Sequence, residues 1–178
     1  MKTILVTGAT SGFGEAAARK FVAGGWRAIG TGRRGDRLKR LQEELGDAFL
    51  PLEIDMRDRE ALESLARLDA PWDEIDLLLN NAGLAPPTTP LSETEWDRLQ
   101  TVIDTNVTGL VVLTRALLPK LIERKGQIIN LSSVAATLPA LASASPRSSR
   151  AWRRPSSPSS APAATSRPPT PCMPGSIR

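Results

Sequence analysis

The stretch Thr7-Gly8-Ala9-Thr10-Ser11-Gly12-Phe13-Gly14 puts three glycines and three hydroxyls within eight residues, directly after an apolar run. A pyrophosphate needs close backbone approach, free amide hydrogens and the positive end of a helix dipole. Gly8 would allow a sharp exit from a strand, Gly12 would let phosphates reach the backbone, and Gly14 would permit tight helix–strand contact. Thr10 and Ser11 would add hydroxyl donors, with Ala9 and Phe13 completing the loop. An ordinary glycine turn is the bland alternative, and the position after a buried-looking strand argues against it.

A second group lies downstream. Arg33-Arg34 follow Gly32, where an NAD site usually carries Asp or Glu for the ribose 2′-hydroxyl. An acid there would repel a 2′-phosphate, whereas a guanidinium can pair with it bidentately. The alternative is a solvated basic loop; with the glycine loop upstream, the pair predicts NADP. Asn81, Ala82 and Gly83 close a later apolar run and form a third candidate cofactor-binding segment. There is no histidine and a single cysteine, Cys172, so no metal site is expected and an internal disulfide is excluded.

These residues need a scaffold, and the apolar pattern supplies one. Thr3–Thr7, Arg27–Gly32, Phe49–Ile54, Ile75–Leu79 and Gly126–Leu131 read as short strands of a buried parallel sheet. Helices are predicted over Gly14–Ala23, Asp36–Leu45 and about Asp58–Leu68, the last with Asp58 as N-cap. Ser92 and Glu95 are expected to form a capping box before a long helix that reaches about Arg124, bent near its end by Pro119. Strand and helix alternate five times, which predicts an α/β fold: a Rossmann-type doubly wound parallel sheet of about five strands.

The pattern stops near Pro139. Residues 1–139 form the expected dinucleotide-binding domain, incomplete as a sheet, and residues 140–178 a Ser/Pro/Arg-rich tail with eight prolines from Pro146 to Pro174. That composition predicts disorder. The overall charge of +4 is a tail property: the net is −2 through Val134 and +6 from Ala135 onward, all from arginine. A nucleic-acid partner is not expected, because those arginines are sparse and only Trp152 offers a stacking surface. With no signal-like N-terminus and no apolar run approaching a transmembrane length, a cytoplasmic protein without a membrane partner is expected.

The spacing G-x-x-x-G-x-G with a threonine in front resembles the short-chain dehydrogenase/reductase family. Asn80-Asn81-Ala82-Gly83, Thr105-Asn106-Val107-Thr108-Gly109 and Leu131-Ser132-Ser133-Val134-Ala135 are similar to three further family motifs, in the same order. The segments G-A-T-S-G-F-G-E, T-G-R-R and N-N-A-G-L-A most resemble its 3-hydroxy acid (serine/allo-threonine) dehydrogenase branch. The resemblance implies hydride transfer between NADP(H) and a small hydroxy acid or alcohol, and homo-oligomers among full-length relatives. It implies that Ser133 hydrogen-bonds the substrate oxygen and Asn106 anchors a proton-relay water. It also implies that Asp55, with Met56 beside it, contacts the adenine edge; on its own type Asp55 could equally be a turn cap.

The family's tyrosine and lysine, expected as Y-x-x-x-K about a dozen residues after the serine, fall on Pro146 and Arg150. The chain contains no tyrosine, and no lysine follows Lys125. Little or no dehydrogenase activity is therefore expected. Without the strands and helix that follow in the family, strand five should be an exposed apolar edge, and the Asn106 helix should keep an uncovered face. The abrupt compositional change, and a Pro174-Gly175 that resembles a later family turn, suggest translation out of frame from about Ala140 to Cys172.

Overall fold

The computed structural model describes residues 1–85 and 89–133. Five parallel strands, β1 (Thr3–Thr7), β2 (Arg27–Gly32), β3 (Phe49–Glu53), β4 (Leu77–Asn80) and β5 (Gln127–Asn130), lie in the order β3-β2-β1-β4-β5. The order reverses between β1 and β4, so the crevice at their carboxyl ends is the topological switch point of a doubly wound sheet. The expected fold class is the one found.

Alternation along β1 divides the core. Ile4 and Val6 face one side with Ala28, Phe49, Leu77 and Leu79, against α1 (Gly12–Ala23) and α2 (Gly35–Leu45) through Ala18, Leu38 and Leu41. Leu5 faces the other with Ile29 and Leu78, against α3 (Arg59–Ser64) and α5 (Gly109–Glu123) through Leu62, Leu113, Leu117 and Leu121. Both faces of the central strands are buried, as continuous apolar runs require. Pro51 sits in β3, where an edge strand tolerates a missing donor.

Several expectations change. Ser92 lies in a 3-10 turn, Leu91–Glu93, and Glu95 is itself the N-cap of α4 (Trp96–Ile103) with no side-chain cap bond, so there is no capping box. Pro90 starts that turn, and Thr94 Oγ1 donates to its carbonyl at 2.9 Å, so Thr94 rather than Ser92 fixes the local hydrogen bonding. The long helix is two helices joined by a π turn, Asp104–Thr108, closed by the Gly109 N–H donating to the Asp104 carbonyl. Pro119 lies inside α5, which continues to Glu123. α1 begins at Gly12, two residues earlier than expected, and β4 begins at Leu77 rather than Ile75. Asp58 does cap α3, its Oδ1 accepting from the Ala61 N–H at 3.0 Å.

The helical run Trp96–Glu123 is 28 residues long with a mean hydropathy of 1.3 over its most apolar window, so by length and composition it could cross a membrane, contrary to the sequence reading. Its apolarity serves two sides. Leu113, Leu117 and Leu121 are buried on the sheet, while Trp96, Ile103, Val107, Val111, Leu118 and Ile122 are exposed along the other face. β5 is the outer strand among the described residues, and every residue in it is exposed. Both uncovered surfaces are those expected from the sequence. The predicted disordered tail lies outside the described residues.

Candidate functional site

The site grows from the carboxyl ends of β1 and β4. Thr7 is fully buried, and its hydroxyl does three things at once. Oγ1 accepts from the backbone N–H groups of Asn81 and Ala82, at 3.0 Å each, and donates to the Leu79 carbonyl at 3.4 Å. Asn81 returns the link: its Nδ2 donates to the carbonyls of Thr7 (2.8 Å) and Gly8 (3.2 Å). The glycine loop is thus locked to the segment after β4 by side chains from both.

Within the loop, Gly8 and Gly12 take φ of 72° and 58°, conformations that side chains rarely adopt. A Cβ on Gly12 would meet nothing within 4 Å, so its backbone is open to an approaching group at the N-terminus of α1. Gly14 is the opposite case. A Cβ there would run into the Gly8 carbonyl and lie 2.5 Å from Asn81 Nδ2, so only glycine lets α1 start this close to β1. Ala9 is buried behind the loop, its N–H donating to the Thr31 carbonyl at 2.9 Å.

A cavity of about 480 Å³ opens above these strand ends. Gly8, Thr10 and Ser11 form its floor; Thr31 through Arg34 form one wall, Ile54 through Met56 a second, and Asn81 through Leu84 with Thr105 a third. Of the residues expected to bind a cofactor, Ala9, Gly12, Phe13 and Gly14 do not line this cavity. Phe13 points outward, 83% exposed.

Two expected roles take a different form. Thr10 and Ser11 act here as acceptors rather than donors. The Arg34 guanidinium donates to Thr10 Oγ1 through Nη2 (2.6 Å) and Nε (3.1 Å), and to Ser11 Oγ through Nη2 (2.8 Å). Arg33 makes no hydrogen bond or ion pair with the described residues, although it too lines the cavity. Asp55 is a turn cap as well as a wall residue: its Oδ1 accepts from the Arg57 N–H at 3.0 Å, and Arg57 Nη2 reaches Oδ2 at 2.7 Å. The Arg57 hydrogen bond holds the Asp55 carboxyl below its ordinary range; partial burial pulls the other way, and Arg33 adds to the lowering. An ionised carboxylate at neutral pH results.

Asn106 sits in the middle of the π turn, where a widened helical turn can redirect a side chain. Its Oδ1 accepts from the Leu84 N–H (2.8 Å) and its Nδ2 donates to the Leu84 carbonyl (2.9 Å). The amide therefore clamps the loop that edges the cavity, and both of its ends are engaged in protein contacts. Gly109 makes this possible, because a Cβ there would collide with the Met56 carbonyl and push α5 away. Asp104 braces the turn, its Oδ1 accepting from Gln100 Nε2 (2.9 Å) and Thr108 Oγ1 (3.3 Å). Ser133 lies three residues past the end of β5, exposed, on the same carboxyl side of the sheet.

Sequence reasoning missed Thr7 as a hub, Arg57 as the partner of Asp55, and the contact from Arg34 to the glycine loop. Asn80 also escaped it. The Asn80 Nδ2 donates to Asn130 Oδ1 (2.8 Å) and Thr114 Oγ1 (3.2 Å), tying β4 to β5 and α5 just below the cavity. A polar type at the end of an apolar strand, as at Thr7 and Asn80, is the signal that could have flagged both.

Comparison with known proteins agrees with this architecture. Residues 2–150 match the family model described as short chain dehydrogenase. The chain is 55% identical over 140 residues to a serine 3-dehydrogenase of Rhizobium radiobacter, covering 78% of this chain and 56% of the relative. It is 49% identical over 138 residues to the NADP-dependent 3-hydroxy acid dehydrogenase YdfG of Escherichia coli K12, covering 76% of this chain and 56% of that protein. The chain thus spans little more than half the length of these curated relatives. Among solved structures, a closed serine dehydrogenase complexed with NADP+ superimposes with a TM-score of 0.74 at 48% identity, over 77% of this chain and 56% of that one. The serine dehydrogenase from Escherichia coli gives 0.73 at 48% identity, over 77% of this chain and 64% of that one. By the match over residues 2–150 and the fold and loop geometry that accompany it, this chain belongs to the short-chain dehydrogenase family.

Proposed function

We propose that residues 1–139 are the NADP(H)-binding half of a short-chain dehydrogenase specific for small hydroxy acids, and that this chain binds the cofactor but transfers hydride poorly. The observation that carries the cofactor reading is the wall formed by Gly32, Arg33 and Arg34: two guanidinium groups and no carboxylate at the end of β2. The open backbone at Gly12 and the helix N-terminus behind it fit a pyrophosphate, and the cavity above Gly8 fits an adenosine. Serine 3-dehydrogenase and 3-hydroxy acid dehydrogenase relatives, and an NADP+ complex among the neighbours, support both the cofactor and the substrate class.

In this reading Arg33 and Arg34 take the 2′-phosphate. The amides of Gly8 through Gly14 take the pyrophosphate, with Ala9 and Phe13 only supporting the loop. Asp55 and Met56 border the adenine, and Asn81, Ala82 and Gly83 border the ribose. Bound NADP(H) would supply the hydride. Ser133 would hydrogen-bond the substrate oxygen. Asn106 would act chiefly by holding Leu84 and the cavity rim, its amide already engaged there. The chain holds no tyrosine to play the acid/base part. Proline at 146 has no ionisable group and Arg150 keeps its proton, so loss of the acid/base alone lowers the rate by about 10²–10⁴.

Titration of the full chain with NADPH and with NADH, by fluorescence and calorimetry, tests the cofactor reading. Micromolar NADPH binding that exceeds NADH binding supports it, and absence of either sinks it. Residues from about Ala140 to Cys172 we take to be out of frame, and the other two reading frames of the DNA decide this. One of them must encode a family-like helix with tyrosine and lysine four apart.

A further inference from the structure

Arg34 does not reach into the cavity as a free side chain. It is fixed against the floor by three hydrogen bonds, two to Thr10 Oγ1 and one to Ser11 Oγ. Thr10 is suited to hold it. The residue is 6% exposed, and its Cγ2 packs on Gly32, where an added Cβ would stand only 2.5 Å away. With the methyl against Gly32, the hydroxyl lies toward the arginine. Gly32 is the residue that leaves room for it.

Resting on the NADP reading above, we infer that Thr10 is a positioning residue for 2′-phosphate recognition. It presets Arg34 over the glycine loop and thereby sets the preference for NADPH over NADH. Two physical arguments carry this. A long, freely rotating arginine must be immobilised when a phosphate binds, and prior immobilisation removes a cost worth roughly threefold to tenfold in affinity. Nε and Nη2 are engaged by hydroxyls, whereas Nη1 has no partner among the described residues, so two N–H donors remain for an oxyanion. Each hydroxyl accepts from Arg34 and finds no acceptor for its own proton among the described residues. Arg34, Thr10 and Ser11 together gather N–H and O–H donors that suit an oxyanion. Arg33, with no such support, contributes charge without a fixed geometry.

The experiment is a double-mutant cycle on the full chain, with NADPH and NADH affinities measured by calorimetry. Thr10→Val keeps the methyl against Gly32 and removes the acceptor. Thr10→Ser keeps the hydroxyl and removes the methyl. Thr10→Val should weaken NADPH about tenfold and NADH less than about twofold. Thr10→Ser should stay within about threefold for both. In an Arg34→Ala background, Thr10→Val should add nothing to the loss of NADPH preference.

A Thr10→Val protein that keeps its NADPH preference overturns the inference alone, provided the unsubstituted chain shows that preference. So does tighter NADPH binding, which would make the Arg34 contact an obstruction. Equal losses for both cofactors in Thr10→Val and Thr10→Ser would reduce Thr10 to a packing residue. An unsubstituted chain without any NADPH preference overturns the cofactor reading and this inference with it.

Discussion

Replacing Thr7 by valine preserves volume and β-branching while deleting a single oxygen, and the structure allows its cost to be worked out. That oxygen accepts from two backbone N–H groups, those of Asn81 and Ala82, and donates to the Leu79 carbonyl. Thr7 is wholly buried, so water cannot reach the vacated position without rearrangement. An unsatisfied buried donor costs about 1–3 kcal/mol. Asn81 and Ala82 are only half-buried, which places the pair nearer the low end, at about 2–4 kcal/mol in total. For a domain of this size that is a fall in Tm of roughly 5–15 °C. Equilibrium urea unfolding of the full chain and of the Thr7→Val and Thr7→Ser variants measures it. Thr7→Ser should retain most of the stability, because it keeps the oxygen. The reasoning is wrong if Thr7→Val lies within about 0.5 kcal/mol of the parent, or if Thr7→Ser is equally damaged.

Gly14→Ala should cost about 1–3 kcal/mol and weaken NADPH binding by more than tenfold, because its methyl meets the Gly8 carbonyl; thermal melts with and without NADPH separate the two effects. Arg33→Asp should reverse the cofactor preference toward NADH, read as the ratio of the two dissociation constants, by like-charge repulsion of the 2′-phosphate. Asn106→Ala should loosen the loop at Leu84 and cost about 1–3 kcal/mol, whereas Asn106→Asp should be worse, since a carboxylate oxygen would face the Leu84 carbonyl; amide exchange at Leu84 reports it directly. For Asp55 the folded carboxyl titrates below its unfolded value, so its stabilising contribution is complete above the ordinary carboxylate range and is lost as pH falls through the lowered folded value. Asp55→Asn should flatten that acid limb in pH-dependent unfolding and leave stability at neutral pH reduced.

Much of this molecule was legible in the chain because its signals are local. A buried strand between turns shows as an apolar run, and five of them placed β1 through β5 to within two residues at their starts. A glycine required by a positive φ or a close approach can be seen from its spacing alone, as at Gly8, Gly12 and Gly14. Arg33 and Arg34 disclosed their charge and their position at a strand end, and the missing tyrosine disclosed itself by composition. The capping box failed because two residue types at the right spacing do not make a helix start: Pro90 and Thr94 had already taken the local hydrogen bonds into a 3-10 turn.

What only the tertiary structure decided was partnership across the chain. Thr7 meets Asn81 and Ala82 more than seventy positions away, Arg34 meets Thr10 across twenty-four, and Asn106 meets Leu84 across twenty-two. Each of these pairings depends on the order in which the strands line up, which no local pattern encodes. Phe13, by contrast, is placed by its position in the first turn of α1, which leaves it exposed to solvent. Residue type sets what a side chain can donate, accept or bury; the folded sheet sets which neighbour is there to receive it, because hydrogen bonds form over about three ångströms and not along the chain.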